Sequence, residues 1–163
     1  MIINENLTDL VKTCAYNLGF DVVRITSAEP FLRERSVAEK RIQQGFMDGL
    51  PWYTQSRVRR GTDPNVLLPG AKSIISVGLS YLSESFQQPK NGTKIARYAW
   101  GKDYHKVIKN KLKGLVSDVE ERLAHTVNAR WYVDDGPMLD RAVAQRSGIG
   151  WFGKNTNILT SSH

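Results

Sequence analysis

The segment that decides the fold is WYVDDGPMLDRAVAQRSGIGWFGKNTNILT, residues 131–160. It starts with a strand-like run that ends in two acids, continues into a helical pattern, and passes through a glycine-rich loop to a second strand-like run. The pattern predicts strands over residues 130–134 and 156–160, joined by a helix that starts at Pro137 and ends before Gly148. So many special residues in so short a segment indicate a ligand site.

The glycine-rich loop matches two nucleotide motifs without their context. Gly148, Gly150 and Gly153 spell GxGxxG, and Gly153 with Lys154 completes the opening of a P-loop. Both motifs need a strand before the glycines and a helix after them, so that the helix N-terminus meets a phosphate. The order here is reversed, and Asn155 stands where a P-loop needs Ser or Thr. The motifs therefore do not indicate a nucleotide site.

Composition indicates one globular domain. The chain has 163 residues, of which 40% are hydrophobic, and this suffices for one core. No apolar run is long enough to span a membrane and no signal-peptide pattern is present, so we expect a cytoplasmic protein. The one cysteine, Cys14, excludes an internal disulfide and cannot hold an iron–sulfur cluster, which needs about four ligands. The three histidines match no metal-ligand spacing, so no metal site is predicted.

Periodicity over the rest of the chain predicts an α/β fold. The predicted elements are helices over residues 4–18, 30–47 and 103–127, strands over residues 20–26 and 73–82, a long unpatterned connection over residues 51–70, and a polar loop over residues 83–93. The strand over residues 73–82 is apolar enough to be central. With the terminal segment, these elements predict a mixed β-sheet sandwiched by helices, in a strand order that the pattern does not give.

The net charge of +7 is concentrated in one region. Residues 94–113 hold seven basic residues against one acidic residue, so the rest of the chain is almost neutral. Such a patch indicates an anionic partner, most commonly nucleic acid. A lysine stripe with spacings of four, three and four residues would share one face of the predicted helix: Lys102, Lys106, Lys109 and Lys113. An ordinary solvated face would show the same spacing, and both interpretations stay open.

Asp134 and Asp135 end a predicted strand just before a helix, where ligands of open sheets tend to bind. In a poorly solvated pocket two neighbouring acids raise the pKa of one, and a protonated carboxyl can donate a proton. Adjacent strand residues face opposite sides, so only one acid would face the pocket. From the residues alone, capping of the following helix is the favoured interpretation of the pair. His105 could be a site residue or an ordinary residue of a first helical turn.

Taken together, three segments resemble the epoxyqueuosine reductase family: DPNVLLPGAKSIISVGLSY (residues 63–81), ARYAWGKDYHKV (residues 96–107) and VDDGPMLDRAVAQRSGIGWFGKNTN (residues 133–157). The resemblance implies a cobalamin-binding catalytic domain over residues 1–163, with the ferredoxin-like domain and its two 4Fe–4S clusters absent from this chain. It also implies cobalamin-dependent reduction of epoxyqueuosine to queuosine at the wobble position of tRNA, the last step of queuosine synthesis. The missing cysteines imply that the chain lacks its electron supply.

The resemblance also implies roles for particular residues. Asp134, by its place in VDxGP, matches the family's proton donor, and Asp135 stands where members often carry Ser or Thr. The lysine stripe would hold the anticodon stem-loop, and the glycines between Gly148 and Gly153 would let the backbone approach a flat cofactor. The implied cofactor-binding residues are Arg57, Arg97, Tyr98, Asp134, Lys154, Asn155, Thr156 and Ile158.

The expected partners are a tRNA with a queuosine-type wobble base and an electron donor. We expect a monomer that does not associate with membranes. One alternative is a non-catalytic module that binds cobalamin or tRNA, which the single cysteine favours. Another is a related corrinoid reductase with a small-molecule substrate, against which the lysine stripe argues because such a substrate needs no phosphate-binding face.

Overall fold

The computed structural model describes residues 6–82, 92 and 94–161. The chain divides into two compact units. The first unit comprises Met1–Val23 and Val77–Val133, and the second unit comprises Arg24–Ser76 and Asp134–His163.

The described part of the chain contains both helices and short strands, which confirms the α/β class. In chain order the elements are α1 (Leu7–Asn17), β1 (Val22–Ser27), α2 (Leu32–Gln43), α3 (Gln55–Thr62), α4 (Pro64–Leu67), β2 (Ser73–Gly78), a 3-10 turn (Arg97–Ala99), α5 (Tyr104–Leu123), α6 (Asp140–Ser147), β3 (Trp151–Phe152) and β4 (Ile158–Leu159). The described strands form two small sheets, β1 with β2 and β3 with β4, rather than the single mixed sheet that was predicted.

The first unit is built on the packing of α1 against α5. Each helix begins at a side-chain cap, because Asn6 accepts from the Thr8 N–H and Asp103 accepts from the His105 N–H. Their apolar stripes meet in a core that includes Cys14, which is 1% exposed and therefore buried as predicted. The periodicity of these two helices was strong, and the structure confirms both.

The second unit has its core under α6. Phe31 is buried with Ala142 and Val143 of α6. The Arg146 guanidinium lies 3.5 Å from the Phe31 ring centroid and donates 2.8 Å hydrogen bonds to the carbonyl oxygens of Glu29 and Ser27. These contacts fix the C-terminal half of α6 against the segment that follows β1. Desolvation lowers the pKa of Arg146 below its ordinary value.

Three predictions of secondary structure are wrong. Residues 130–134 form no strand, and the backbone turns into the left-handed region at Asp134. The helix predicted from Pro137 begins only at Asp140, and Pro137 lies in the preceding loop. The predicted connection over residues 51–70 contains α3 and α4, which are too short and polar to show a periodic apolar pattern.

Other predictions hold in part. Gly148 ends α6 with φ +80°, as its predicted position after the helix requires. The strand predicted over residues 156–160 is confirmed as the shorter β4, and its partner β3 was not predicted. β2 pairs only with β1 among the described strands, so a central position is not observed. The polar loop predicted over residues 83–93 lies, apart from residue 92, outside the described residues.

Candidate functional site

An open cleft of about 240 Å³ lies in the second unit between the start of α3 and the loop before α6. Thr54 caps α3 by accepting a 3.2 Å hydrogen bond from the Arg57 N–H. The Arg57 guanidinium lies 5.0 Å from the centroid of the Trp52 ring, a cation–π contact. The cleft is lined by Trp52, Thr54, Ser56, Arg57, Arg60, Asp135, Gly136 and Pro137. It therefore combines two cationic side chains, a ring face and one carboxylate.

Gly61 allows the two walls of the cleft to meet. It is buried in α3, and a Cβ added there would lie 2.3 Å from the carbonyl oxygen of Pro137. Only a residue without a side chain permits this approach of helix backbone to loop backbone. The contact brings the arginine-bearing turn of α3 to the Asp135–Pro137 segment, and it was not predicted from the sequence.

Asp134 occupies an unusual backbone conformation at the start of this loop. It is exposed and has φ +56°, which L-residues adopt rarely and Asp tolerates better than most. The favoured interpretation of Asp134 and Asp135 as helix caps is wrong, because Leu139 is the N-cap of α6 and no side chain bonds there. Non-glycine residues at positive φ cluster at functional sites, so this geometry makes Asp134 a candidate functional residue.

Asp140, in the first turn of α6, completes a group of three acids with Asp134 and Asp135. Partial burial raises the pKa of Asp140 to about 6, the charges of Asp134 and Asp135 add to the rise, and the Arg141 guanidinium opposes it. Solvent still reaches Asp140, which is exposed at its surface, and this limits the free energy that the shift represents. Asp140 can therefore hold a proton at a higher pH than an isolated carboxyl.

A hairpin follows α6 in the same unit. Its strands pair antiparallel, with Trp151 opposite Leu159 and Phe152 opposite Ile158. Its turn is closed by 2.8 Å and 2.9 Å backbone hydrogen bonds, from the Gly153 N–H to the Asn157 oxygen and from the Thr156 N–H to the Gly153 oxygen. The chain thus reverses within the segment in which the cofactor residues were expected.

The structure gives Gly150 and Gly153 a role within the hairpin itself, and the predicted approach of a flat cofactor stays a prediction. A Cβ on Gly150 would lie 2.1 Å from the carbonyl oxygen of Leu159, and one on Gly153 would lie 2.9 Å from Oδ1 of Asn155. Atoms of the hairpin itself fill the space that a side chain would need. Gly150 is therefore required by the pairing of the hairpin, because a Cβ there would meet backbone, whereas a Cβ on Gly153 would meet only side-chain atoms.

The hairpin presents apolar side chains to solvent. Trp151, Phe152 and Leu159 are 51%, 41% and 43% exposed, and the turn exposes polar side chains between them. Of the predicted cofactor residues, the hairpin brings together Lys154, Asn155, Thr156 and Ile158, the last of which is half-buried. An apolar surface beside polar side chains suits a large ligand that has both kinds of surface.

Arg97 and Tyr98 belong to the first unit and lie, both exposed, in its 3-10 turn. The Arg97 guanidinium lies 5.6 Å from the Trp100 ring, and the Tyr98 ring meets the Tyr104 ring edge-on at 6.1 Å. Tyr104 in turn stacks on His105 at 4.0 Å.

The predicted lysine stripe is also in the first unit, and α5 carries three of its members. Lys106 and Lys113 are exposed, Lys109 is half-buried, and Lys102 precedes the N-cap Asp103 and therefore lies outside the helix. His105 contacts Asp103 at 2.8 Å through Nδ1, and this hydrogen bond lowers the pKa of the Asp103 carboxyl.

Sequence reasoning missed three contributors in the second unit. Trp52 and Arg60 line the cleft, and Arg141 of α6 donates two hydrogen bonds to Thr156. The arginine cluster Arg57, Arg59 and Arg60 is visible in the sequence, but the segment has no periodic pattern that would place it on a helix. Neither a cluster of metal-ligating side chains nor a helix long and apolar enough to cross a membrane occurs in residues 6–82, 92 and 94–161.

Comparisons with known proteins agree on one family. The family described as "Epoxyqueuosine reductase QueG, DUF1730" matches residues 61–135. The epoxyqueuosine reductase of Cellulophaga algicola is 41% identical over 157 residues, which cover 96% of this chain and 50% of that protein. The chain therefore spans about half the length of the curated relatives it matches.

Solved structures give the same result. A crystal structure of selenomethionine-labelled epoxyqueuosine reductase matches this chain with a TM-score of 0.81 and 30% identity. The matched region covers 95% of this chain and 42% of the chain in that structure. A second epoxyqueuosine reductase, solved with an epoxyqueuosine-modified tRNA-Tyr stem loop, has a TM-score of 0.74 and 33% identity over the same shares.

Proposed function

Because the chain belongs to the epoxyqueuosine reductase family, we propose that it is the cobalamin-binding part of an enzyme that reduces epoxyqueuosine to queuosine in tRNA. Its relatives are oxidoreductases of that name. The observation that carries the proposal is Asp134, which has φ +56° and directly precedes the segment that lines the arginine-bearing cleft. Residues at positive φ cluster at functional sites, and an acid beside a cleft is placed to act as a proton donor.

The residues of the second unit fit cobalamin. The faces of the corrin ring are largely apolar, and its rim carries amide groups and a tail with one phosphodiester. The exposed Trp151, Phe152 and Leu159 offer apolar surface, while Lys154 and Asn155 offer donors for amides or for the phosphodiester. The residues of this unit proposed to hold the cofactor are Arg57, Lys154, Asn155, Thr156 and Ile158. Arg97 and Tyr98 of the first unit stay predicted cofactor residues. When bound, cobalamin would supply the electrons for the reduction.

The role that we assign to Asp134 is to protonate the epoxide oxygen. Converting an epoxide to an alkene consumes two electrons and two protons, breaks both C–O bonds and releases water. Asp134 would give one of these protons as the oxygen leaves. The raised pKa of Asp140 keeps a proton within the same group of acids at mildly acidic pH. The electrons that reduce the cofactor would come from an iron–sulfur donor outside residues 1–163, because the one cysteine of this chain cannot hold such a cluster.

The lysine stripe is proposed to bind the phosphates of the anticodon stem-loop. Lysines neutralise phosphates without reading sequence, so this contact would position the RNA and the wobble base would carry the specificity. Changing Lys106 and Lys113 together to Glu should weaken stem-loop binding and flatten its dependence on salt. Binding that keeps the wild-type salt dependence in this variant would exclude the stripe.

One observation favours a second candidate, a module that binds without turnover. Cys14 is 1% exposed and is the only cysteine, so the chain alone cannot hold the clusters that would supply electrons. Supplying a chemical reductant to the chain with cobalamin and an epoxyqueuosine stem-loop separates the two candidates. Formation of queuosine supports the enzyme, and bound cobalamin without product supports the module.

The first test is a titration of the chain with cob(II)alamin, followed by visible absorption and EPR. We expect saturable binding with a shift to the base-off spectrum. A variant with Lys154→Glu and Asn155→Ala should bind more weakly, whereas the stripe variant Lys106→Glu with Lys113→Glu should bind like the wild type. An unchanged spectrum with the folded wild-type chain would contradict the proposal.

A further inference from the structure

A single guanidinium fixes the turn of the 151–159 hairpin. Arg141 lies in the first turn of α6, outside the hairpin, and its Nη1 donates to Thr156 twice. One hydrogen bond goes to the Thr156 carbonyl oxygen at 3.0 Å and the other to its Oγ1 at 2.9 Å. Arg141 thus binds both the backbone and the side chain of one residue, which constrains its ψ and χ1 together.

Thr156 is the residue of the turn that most needs such a constraint. Its φ is +66°, and a β-branched side chain at positive φ brings Cβ against the backbone carbonyl. The backbone hydrogen bond from the Gly153 N–H to the Asn157 oxygen depends on this conformation, because rotation at Thr156 sets the path of the chain into Asn157. A threonine there would favour an ordinary φ once the external bonds were removed.

The conformation of Thr156 sets the orientation of its neighbours. Lys154 and Asn155 precede it in the turn, and the Asn155 Oδ1 accepts a 3.2 Å hydrogen bond from the Asn157 N–H. A change of φ at Thr156 would rotate the peptide groups of this turn and redirect the exposed side chains. Ligand-holding groups work only when their geometry is held within about 0.5 Å.

We infer that Arg141 is a positioning residue that holds Thr156 at positive φ and thereby presents the 153–157 turn to the cofactor. The inference rests on the proposed function, because it concerns the same ligand. It assigns a role to a residue that was not among the predicted cofactor residues. Arg141 acts through Thr156 and need not touch the cofactor.

The test combines Arg141→Gln with changes at Thr156. Arg141→Gln should raise the dissociation constant for cob(II)alamin roughly tenfold, as expected for loss of charge-assisted hydrogen bonds. Asn adopts positive φ more readily than Thr, so Thr156→Asn should make the arginine less important. We expect Arg141→Gln to cost less than about twofold in the Thr156→Asn background, as a double-mutant cycle would measure. Equal losses in both backgrounds would overturn the positioning role.

A matched control is Arg122→Gln, an exposed arginine in the last turn of α5 in the first unit. It should leave cobalamin binding and the hairpin unchanged. The EPR signal of bound cob(II)alamin gives a further readout, because a general loss of stability would reduce the bound fraction without altering the signal of what remains bound. The Arg141→Gln variant should alter that signal, and Thr156→Asn should restore it.

NMR without cofactor separates the inference from the proposed function. A residue at positive φ gives a strong intraresidue HN–Hα NOE, and the amides of Gly153 and Thr156 should exchange slowly. Arg141→Gln should weaken the NOE at residue 156 and speed both exchanges, even if the wild type binds no cobalamin. In that event the proposed function fails, and the cofactor-presenting role fails with it. An unchanged NOE and exchange in Arg141→Gln would overturn the inference even if cobalamin binds well.

Discussion

The close approach of α3 to the loop before α6 makes Gly61→Ala a sharp perturbation. The new Cβ would lie 2.3 Å from the Pro137 oxygen and 3.3 Å from the Pro137 carbonyl carbon, whereas ordinary contacts begin near 3.4 Å. Both atoms belong to backbone and cannot rotate away. The helix and the loop must therefore separate by about 1 Å, which widens the cleft between Arg57 and Asp135.

The expected cost follows from two opposing terms. Overpacking costs about 1–3 kcal/mol, and replacing glycine by alanine in a helix returns about 1 kcal/mol, so the net loss of stability is about 0–2 kcal/mol. Function should suffer more than stability, because a misplacement of about 1 Å can cost on the order of 100-fold in rate. Cob(II)alamin affinity should also fall, since Arg57 moves with α3.

The assay pairs urea unfolding with cobalamin titration. Gly49→Ala is the matched control, because an added Cβ there has nothing within 4 Å and the residue has no positive φ. It should leave both measurements unchanged. A Gly61→Ala protein with wild-type stability and wild-type cobalamin affinity would refute the argument that this contact shapes the cleft.

Four further substitutions test other parts of the structure. Gly114→Ala in α5 adds a Cβ at an ordinary 3.4 Å from the Leu18 side chain, so urea unfolding should show a gain of about 0.5–1 kcal/mol. Arg146→Met removes a charged donor from two carbonyls and should cost about 2 kcal/mol in the same assay. The pKa of Asp140 is about 6 in the folded protein, against an ordinary 3.8, so folding favours the protonated carboxyl. The stability that Asp140 contributes is therefore fully present below about pH 4 and is lost as the pH rises through about 6. Asp140→Asn should therefore flatten that part of the stability profile, and an unchanged profile would contradict the shift. Asp134→Asn should bind cob(II)alamin normally yet lose reduction of an epoxyqueuosine stem-loop on the order of 100-fold with a chemical reductant; a wild-type rate would remove Asp134 from the proton-donor role.

Local patterns predicted the parts of the fold that depend on local sequence. The apolar periodicity of α1 and α5 and the glycine after α6 correspond to burial stripes and to a positive φ, and the structure has all three. The run at residues 130–134 has a strand-like composition, but an extended loop shows the same composition, and pairing decides between them. α3 has eight residues and two buried non-glycine side chains, too few to leave a pattern.

The candidate site depends mostly on distant contacts, which a single sequence does not show. Motif resemblance pointed to Asp134, Arg57 and the 154–158 segment. The approach of Gly61 to Pro137 and the hydrogen bonds from Arg141 to the hairpin join residues that lie far apart in the chain. A glycine in a helix or an arginine near an acid has many uses, and only the folded backbone selects one of them.

The two arginines of α6 fix the number of residues that can lie between them, because each one binds a different segment of the chain. Arg141 binds the hairpin turn and Arg146 binds the segment after β1, five positions further along. At about 100° per residue, the two side chains leave the helix about 140° apart. Insertion or deletion of one residue between them would swing one guanidinium by about 100° and detach one of the two segments. We therefore expect α6 to accept substitution on its exposed face but no change in the spacing of these arginines.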